Sequence, residues 1–236
     1  ALMAIVASSL AARVVERNVL AYRRLWVAFA TGFVEPVFYL FSLGIGVGAL
    51  VRTVTTDSGA QVSYAVFVAP ALLATSAMNG AIFDSTYNVF FKLRYAHTYD
   101  AMLATPVGPR EIAVGEITWT LIRGGIYATG FLVVATVVGT VPSWWAVMAL
   151  PAALFVSLAF AAVGMFATTF MRSFLHFDYI LLAIQPMFLF SATFFPLSTY
   201  PSSLRWIVRA TPLYHGVALE RALMLGEGGW SLLGHL

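Results

Sequence analysis

Five uninterrupted apolar stretches, each long enough to cross a lipid bilayer as a helix, constrain this chain more than any other feature. A hydrocarbon core is spanned by about 20 helical residues. The stretches also lack the alternation of apolar and polar residues that is typical of strands in outer-membrane barrels. The sequence therefore predicts an all-α polytopic membrane protein, a single transmembrane domain over residues 1–236, with five visible transmembrane helices at residues 26–50, 63–83, 117–141, 144–170 and 177–195.

Basic residues in the short segments between the apolar stretches predict the orientation of the chain, because such residues are enriched on the cytoplasmic side of membrane proteins. Before the first stretch, between the second and third, and between the fourth and fifth lie Arg13, Arg17, Arg23, Arg24, Lys92, Arg94, Arg110 and Arg172. The N-terminus is therefore expected in the cytoplasm. Five spans would leave the C-terminal segment outside, so a sixth span is expected beyond Leu236.

The first 24 residues form a different kind of segment. Arg13 and Arg17 share one face of a helix, and Val15 and Val19 share the opposite face, which predicts a helix lying in the cytoplasmic interface over residues 1–24. A solvated helix that only leads into the first span is the alternative. A cleaved signal peptide is disfavoured because no basic region precedes the apolar residues.

The composition excludes several kinds of chemistry. A Walker A loop needs a lysine between Gly and Ser or Thr, yet the only lysine, Lys92, stands between Phe91 and Leu93. Cysteine is absent and the four histidines are scattered, so no metal site or catalytic set is predicted, and no cofactor is expected on this chain. The net charge of +3 does not favour nucleic acid as a partner.

Three polar side chains interrupt the apolar stretches, where ionisable groups are costly and point to function. Glu35, Arg123 and Gln185 are predicted to line a translocation path or to be buried among helices, with Glu35 close to a polar partner. Pairing of Glu35 with Arg123 would neutralise both. Alternatively, Arg123 snorkels to the interface, Glu35 bonds the carbonyls that Pro36 leaves free, and Gln185 with Pro186 marks an ordinary kink.

The polar segment 84–116 between the second and third stretches is predicted to be a cytoplasmic coupling segment. Residues 95–103 favour a short helix, which Thr105 and Pro106 end. An exposed helix that carries aromatic and apolar residues is suited to docking a partner, although a lipid-facing interfacial helix is the alternative. The residues predicted to make this contact are Tyr95, Tyr99, Asp100, Met102, Leu103 and Thr105.

Residues 194–212 are predicted to form an outer re-entrant hairpin, because several prolines interrupt this segment. A helix over residues 202–210, capped by Ser202 and Ser203, would place one apolar face at the lipid boundary while its arginines reach outward. The aromatic residues nearby suit a sugar or an amphiphile, although aromatic belts also arise for purely physical reasons. The residues of this predicted outer gate are Phe194, Phe195, Tyr200, Arg205, Arg209 and His215.

A series of ordered motifs extends over nearly the whole chain. They include Glu35-Pro36-Val37-Phe38-Tyr39-Leu40, Phe83-Asp84-Ser85-Thr86-Tyr87, Tyr99-Asp100-Ala101-Met102-Leu103-Ala104-Thr105-Pro106, Phe194-Phe195-Pro196-Leu197 and Pro212-Leu213-Tyr214-His215. With these motifs the chain resembles the permease subunits of type-two ABC exporters. The resemblance is strongest to the lipooligosaccharide or nodulation-factor exporter branch, which is similar to daunorubicin-resistance permeases.

This resemblance implies a non-catalytic, six-helix subunit of the bacterial inner membrane. Such a subunit pairs with a second copy or a close homologue and with two ABC ATPase subunits, which bind the ATP and Mg. It exports an amphiphile such as a lipid-linked oligosaccharide, a glycolipid or a hydrophobic drug. The family's coupling helix maps onto residues 95–105 and its outer hairpin onto residues 194–212, with His215 beside it. A proton-coupled secondary transporter, which should show an internal repeat, is the alternative.

Overall fold

The computed structural model describes residues 9–23 and 26–227, with the backbone alone described at residues 9 and 26–33. Within these residues every regular element is helical apart from one small hairpin, so the predicted all-α membrane class is confirmed. The start of the predicted interfacial helix and the sixth span lie outside the described residues. The helices are α1 Ser9–Arg23, α2 Trp26–Phe41, α3 Tyr64–Phe83, α4 Thr98–Leu103, α5 Pro109–Val137, α6 Ala149–Phe170, α7 His176–Leu189, α8 Ser202–Ala210 and α9 Pro212–Leu225.

Helix α3 occupies the centre of the subunit. It is apolar on all sides, as expected for a helix that has no solvent-facing stripe, and it packs against α2, α5, α6 and α9. Val68, Leu72 and Met78 of α3 are buried in one core with Phe131 of α5 and Leu213 of α9. Helix α9 therefore belongs to the packed bundle rather than to a detached outer segment.

Within the described residues, three helices are long and apolar enough to cross a membrane by length and composition, namely Tyr64–Arg94, Pro109–Val137 and Trp144–Phe170. Helix α2 continues through a π-helical turn, Ser42–Val47, and a last turn, Gly48–Leu50. Helix α7 has 14 residues, or about 21 Å of helix, and ends at Leu189 rather than at residue 195 as predicted.

The predicted coupling segment is much shorter than residues 84–116. Helix α3 continues through a π-helical turn, Asp84–Asn88, to Arg94, where Ser85 and Thr86 donate hydrogen bonds to carbonyls of the preceding turn. Helix α5 begins at Pro109, and the Glu111 carboxylate accepts a hydrogen bond from the Gly108 amide at 3.1 Å, an arrangement that satisfies an unpaired N–H at a helix start. Only residues 95–108 lie between the two helices.

The end of the bundle opposite α1 and α4 is tied together by a short antiparallel hairpin, β1 Thr53–Thr55 and β2 Gln61–Ser63. In the turn of this hairpin the Asp57 carboxylate accepts a hydrogen bond from the Ser198 amide at 3.3 Å. The Ser58 hydroxyl donates to Glu227 at 2.5 Å. The hairpin therefore covers the predicted outer segment and the end of α9.

The turn after α7 is non-helical and buried. Ala192, three residues after the helix ends, has a positive φ of 57°, a left-handed conformation that cannot continue a right-handed helix. The Arg221 guanidinium of α9 donates a hydrogen bond to the Ala192 carbonyl at 2.9 Å. Irregular backbone at membrane depth is tolerated where protein groups satisfy it in this way.

Candidate functional site

Helix α4 is shorter than the predicted coupling helix. It spans Thr98–Leu103 and follows His97, whose left-handed backbone turns the chain away from α3. The Asp100 carboxylate lies 2.8 Å from Nδ1 of His97 and holds this turn. Tyr95 and Thr105, which were predicted to belong to the helix, lie in the turns on either side of it.

One face of α4 is anchored and the other is exposed. Tyr99 is 5% exposed and packs with Val89 and Ile112, and Met102 lies partly buried at the edge of this cluster. Leu103 is 47% exposed, and Asp100 is exposed beside it. The geometry therefore presents a short, rigid helix whose outer face is free in the single chain.

Tyr95 contributes to a different contact from the one predicted. Its ring centroid lies 5.0 Å from that of Phe174, in the turn between α6 and α7, and 6.0 Å from that of Phe90. Arg94 donates a hydrogen bond to the Met171 carbonyl at 3.4 Å in the same region. Tyr95 and Arg94 thus join the turn before α4 to the turn between α6 and α7.

A buried polar cluster lies beneath α4. The Lys92 ammonium is 2.8 and 2.7 Å from the two carboxylate oxygens of Glu116, and it donates to the Asn18 amide oxygen at 3.0 Å. The Asn18 amide nitrogen in turn donates to Glu116 at 3.0 Å. Burial, with Glu116 as a smaller cause, raises the pKa of the adjacent Tyr99 phenol, so this phenol stays protonated.

A second buried cluster surrounds Arg123. Its guanidinium donates to Asp84 at 2.6 Å, to the Tyr22 hydroxyl at 3.1 Å and to the Tyr127 hydroxyl at 2.9 Å. The expected pairing of Arg123 with Glu35 is therefore wrong, and so is the snorkelling alternative, because Arg123 is only 9% exposed. A cavity of about 20 Å³ adjoins the pair, which is room for about one water molecule.

Glu35 and Gln185 differ from Arg123 because both are exposed in the single chain. The expectation that Glu35 is buried among the helices of its own subunit is wrong, and no hydrogen bond joins its carboxylate to another described side chain. Glu35 opens onto a broad groove of about 490 Å³ lined also by Val34, Phe38, Tyr39 and Ser42. Gln185 lies on α7, where Phe177 is the buried residue of the helix.

The predicted outer-gate residues come together only in part. Helix α8 has the predicted bounds, but Pro201 occupies its N-cap and no side chain caps it, so the capping role of Ser202 and Ser203 is wrong. Tyr200 packs on the small core of Ala192, Leu197 and Val208. Phe194 is partly buried, Phe195 and Arg209 are exposed, and His215 lies on α9 with its ring 5.4 Å from that of Tyr214.

Arg205 does not point freely toward lipid or substrate. Its Nε donates to the Tyr200 carbonyl at 2.9 Å, and a terminal nitrogen donates to the Ser198 carbonyl at 2.7 Å. These bonds close the turn before α8. Arg205 therefore stabilises this turn instead of snorkelling outward to phosphates as expected.

Sequence reasoning misses the most strongly connected charges of the chain. Asp84, Lys92 and Glu116 stand in what reads as a polar connecting segment, yet all three are buried in helices. Extending the helical pattern beyond Phe83 would have placed Asp84 and Lys92 in a span and singled them out as costly intramembrane charges. Among the described residues, no group of three His, Asp or Glu side chains is arranged to hold a metal ion.

Comparison with known proteins identifies the family of this membrane chain. Residues 10–225 match the ABC-2 type transporter family. The chain belongs to this family. It is the membrane-spanning permease subunit of an ABC exporter, so the proton-coupled alternative is set aside.

Several curated relatives of the permease share the name Nodulation protein J. The protein from Rhizobium leguminosarum bv. viciae is 36% identical over 214 residues, covering 89% of the permease and 80% of the relative. The Rhizobium meliloti protein is 34% identical over 213 residues, covering 89% and 79%. The Sinorhizobium fredii protein is 31% identical over 223 residues, covering 93% and 83%. No solved structure matches the permease with significance.

Proposed function

We propose that two permease subunits and two separate ABC ATPase subunits form an exporter in the bacterial inner membrane, with the permease N-terminus in the cytoplasm. The exporter moves a lipooligosaccharide-class amphiphile outward, driven by ATP bound with Mg on the ATPases. The observation that carries this proposal is α4, a short helix that is anchored on one face and exposed on the other. The membership of the chain in the ABC-2 type transporter family supports the same arrangement.

The surface around α4 suits a mechanical contact with an ATPase. The chain has no Walker A lysine, so energy from ATP must arrive through contact with another subunit. Leu103 supplies an exposed apolar side chain and Asp100 an exposed charge at the centre of this surface. An apolar centre surrounded by polar groups is the usual anatomy of a protein–protein interface.

The exposed polar groups on α2 and α7 support a second copy of the permease. A carboxylate that faces acyl chains is too costly to retain, yet Glu35 is exposed in the single subunit. A second subunit that covers these faces would shield Glu35 and Gln185 from lipid, and a water-filled path between two subunits would hydrate them. The groove beside Glu35 would then open toward the path rather than toward lipid.

The chemistry of the groove supports an amphiphile that carries sugars. Phe38 and Tyr39 offer aromatic faces, while Glu35 and Ser42 offer hydrogen-bonding groups to hydroxyls. Aromatic faces with a few polar groups are typical of sites that orient a mostly apolar ligand. The relatives named Nodulation protein J favour a lipooligosaccharide over a hydrophobic drug as the substrate.

The direct test is reconstitution of the permease with its partner ABC ATPase in proteoliposomes. We expect a lipooligosaccharide to stimulate ATP hydrolysis and to move across the bilayer only when ATP is present. A simple glycolipid and a hydrophobic drug serve as comparison substrates. Transport driven by a proton gradient without ATP would contradict the proposal, and stronger stimulation by the drug would contradict the substrate assignment.

Reversal of the charge at Asp100 together with truncation of Leu103 should uncouple the exporter. We expect the Asp100→Lys, Leu103→Ala variant to lose about tenfold of its substrate-stimulated ATP hydrolysis and export, because coupling energies between sites are commonly worth 5- to 150-fold. A matched control is Glu16→Lys with Val163→Ala, which changes an exposed acid and an exposed apolar residue elsewhere. Unchanged coupling in the α4 variant would remove α4 from the ATPase contact.

Single cysteines along residues 198–210 should report the outer hairpin, since the natural chain contains no cysteine. With a membrane-impermeant maleimide added outside, we expect labelling at the exposed positions Ser202 and Ser203 and protection at Val208, which is 0% exposed. Leu103→Cys is the control and should react only after the membrane is permeabilised. Labelling of Ser202→Cys from the cytoplasmic side alone, or uniform labelling along the segment, would contradict this placement.

A further inference from the structure

The buried cluster of Asn18, Lys92 and Glu116 touches four elements at the end of the bundle that carries α4. Asn18 comes from α1, Lys92 from the continuation of α3, and Glu116 from α5. Helix α4 adjoins the cluster through buried Tyr99, which packs with Val89 and Ile112, one helical turn from Lys92 and Glu116, and through Thr98, whose hydroxyl accepts a hydrogen bond from Arg17 at 3.5 Å. The interfacial helix and two membrane helices therefore meet at one carboxylate, and the proposed docking helix packs beside it.

The bonds to this carboxylate are short and shielded from water. Glu116 is 2% exposed, Asn18 is 1% exposed and Lys92 is 8% exposed. Both oxygens of Glu116 accept hydrogen bonds from the Lys92 ammonium, and one of them also accepts from Asn18. Charge-assisted hydrogen bonds of this kind fix both distance and direction.

Close packing beside the cluster brings α1 and α5 together. A Cβ atom added at Gly115 would lie 2.6 Å from Cβ of Val14 and 3.1 Å from the Ala11 carbonyl oxygen. Helix α1 therefore lies directly against α5 at the residue before Glu116. A displacement of α4 acts on α5 through the packing of Tyr99 on Ile112. It is passed on to α1, because packed interiors deform little.

We propose that Glu116, held by Lys92 and Asn18, is a positioning residue that joins α4 to α1 and to the membrane helices α3 and α5, so that the displacement of α4 during ATP hydrolysis moves these helices together. This role rests on the proposed function of α4 as the ATPase contact. Glu116 acts through the elements it joins and need not contact the substrate.

The role differs from simple support of the fold in one measurable respect. Replacement of a buried ion pair by apolar residues of similar volume is often neutral or stabilising. Such a replacement keeps the packing but removes the directional bonds that fix how α1, α3 and α5 move with α4. An apolar variant should therefore keep its stability but lose coupling between ATP hydrolysis and export. If the cluster were merely structural, coupling would stay intact.

The decisive experiment uses the triple variant Asn18→Leu, Lys92→Met, Glu116→Leu in the reconstituted complex with its ATPase. We expect wild-type thermal stability and continued ATP hydrolysis, but about tenfold less lipooligosaccharide exported per ATP hydrolysed, within the usual range of coupling effects. Glu16→Gln, which removes an exposed acid of α1, is the control and should leave this ratio unchanged. A folded triple variant with the wild-type ratio would overturn the proposal.

Two further measurements cover the remaining outcomes. If the triple variant does not fold, Glu116→Asp is tested in its place, because it keeps the charge but shortens the side chain by one methylene. Wild-type coupling in Glu116→Asp would overturn the proposal. Spin labels on cysteines at the exposed positions Ala12 and Ala101, in the full permease in nanodiscs, test the joint without the ATPase. We expect the distance between the two spin labels to have a narrow distribution in the parent chain and a broad one in Glu116→Asp. Equally narrow distributions would overturn the proposed connection between α1 and α4, whether or not the proposed function is correct.

Discussion

Replacement of Asp84 by Asn should strongly destabilise the permease. Asp84 is 4% exposed and its carboxylate lies 2.6 Å from the Arg123 guanidinium. Arg123 cannot lose its proton, so the variant leaves an uncompensated charge inside the bundle. Breaking a buried ion pair in this way typically lowers the free energy of unfolding by about 3–5 kcal/mol. The measurement is the unfolding of the purified permease in mixed micelles.

Two companion variants separate the charge effect from loss of packing. Asp178→Asn removes an exposed acid of α7 and should leave stability within about 0.5 kcal/mol of the parent chain. Asp84→Leu with Arg123→Met removes both charges and should recover most of the loss. If Asp84→Asn alone is as stable as the parent chain, the pair does not hold α3 to α5.

The helices that the sequence predicts well are those whose pattern is set by neighbours in the chain. Helix α8 has the bounds expected from its prolines, since Pro201 and Pro212 interrupt helical hydrogen bonding on both sides. Helix α4 ends at Leu103 as expected, although it begins at Thr98 because His97 adopts a left-handed backbone. Local chemistry thus determines where these short elements end.

The predictions that fail depend on partners distant in the sequence. Asp84 reads as the start of a loop, but its charge is balanced by Arg123 of another helix, so α3 continues past it. Lys92 and Glu116 likewise become compatible with burial only because each neutralises the other. A single sequence gives no sign of which cation meets which carboxylate, and for this reason the coupling segment is predicted too long.

The sequence predicts where the candidate docking helix lies, but not what each of its residues does. Exposed Leu103 and Asp100 lie where a docking helix requires them, whereas Tyr99 anchors the helix from the inside. Glu35 and Arg123 look equivalent in the sequence as isolated charges in apolar stretches. The structure separates them, because Arg123 is paired with Asp84 within its own subunit, whereas Glu35 is exposed in the single chain.

Replacement of Glu220 by Met should stabilise the permease, although it removes an ionisable side chain from the interior. Glu220 is 0% exposed, and neither of its carboxylate oxygens has a hydrogen-bond partner among the described residues. The adjacent Arg221 does not relieve it, because that guanidinium lies 4.0 Å from the centre of the Phe67 ring and donates to the Ala192 carbonyl. An unpartnered buried polar group costs about 1–3 kcal/mol, so unfolding should become harder by a similar amount.

The same exchange at Glu227 provides the matched control, because that carboxylate accepts hydrogen bonds from Ser58 and Thr56 and its loss should not stabilise the chain. Thermal unfolding of both variants in the same detergent gives the comparison. A less stable Glu220→Met variant would mean that the carboxyl has a partner. A more stable variant with impaired export would instead show that the buried carboxyl is kept for function, since residues that lower stability are retained where activity requires them.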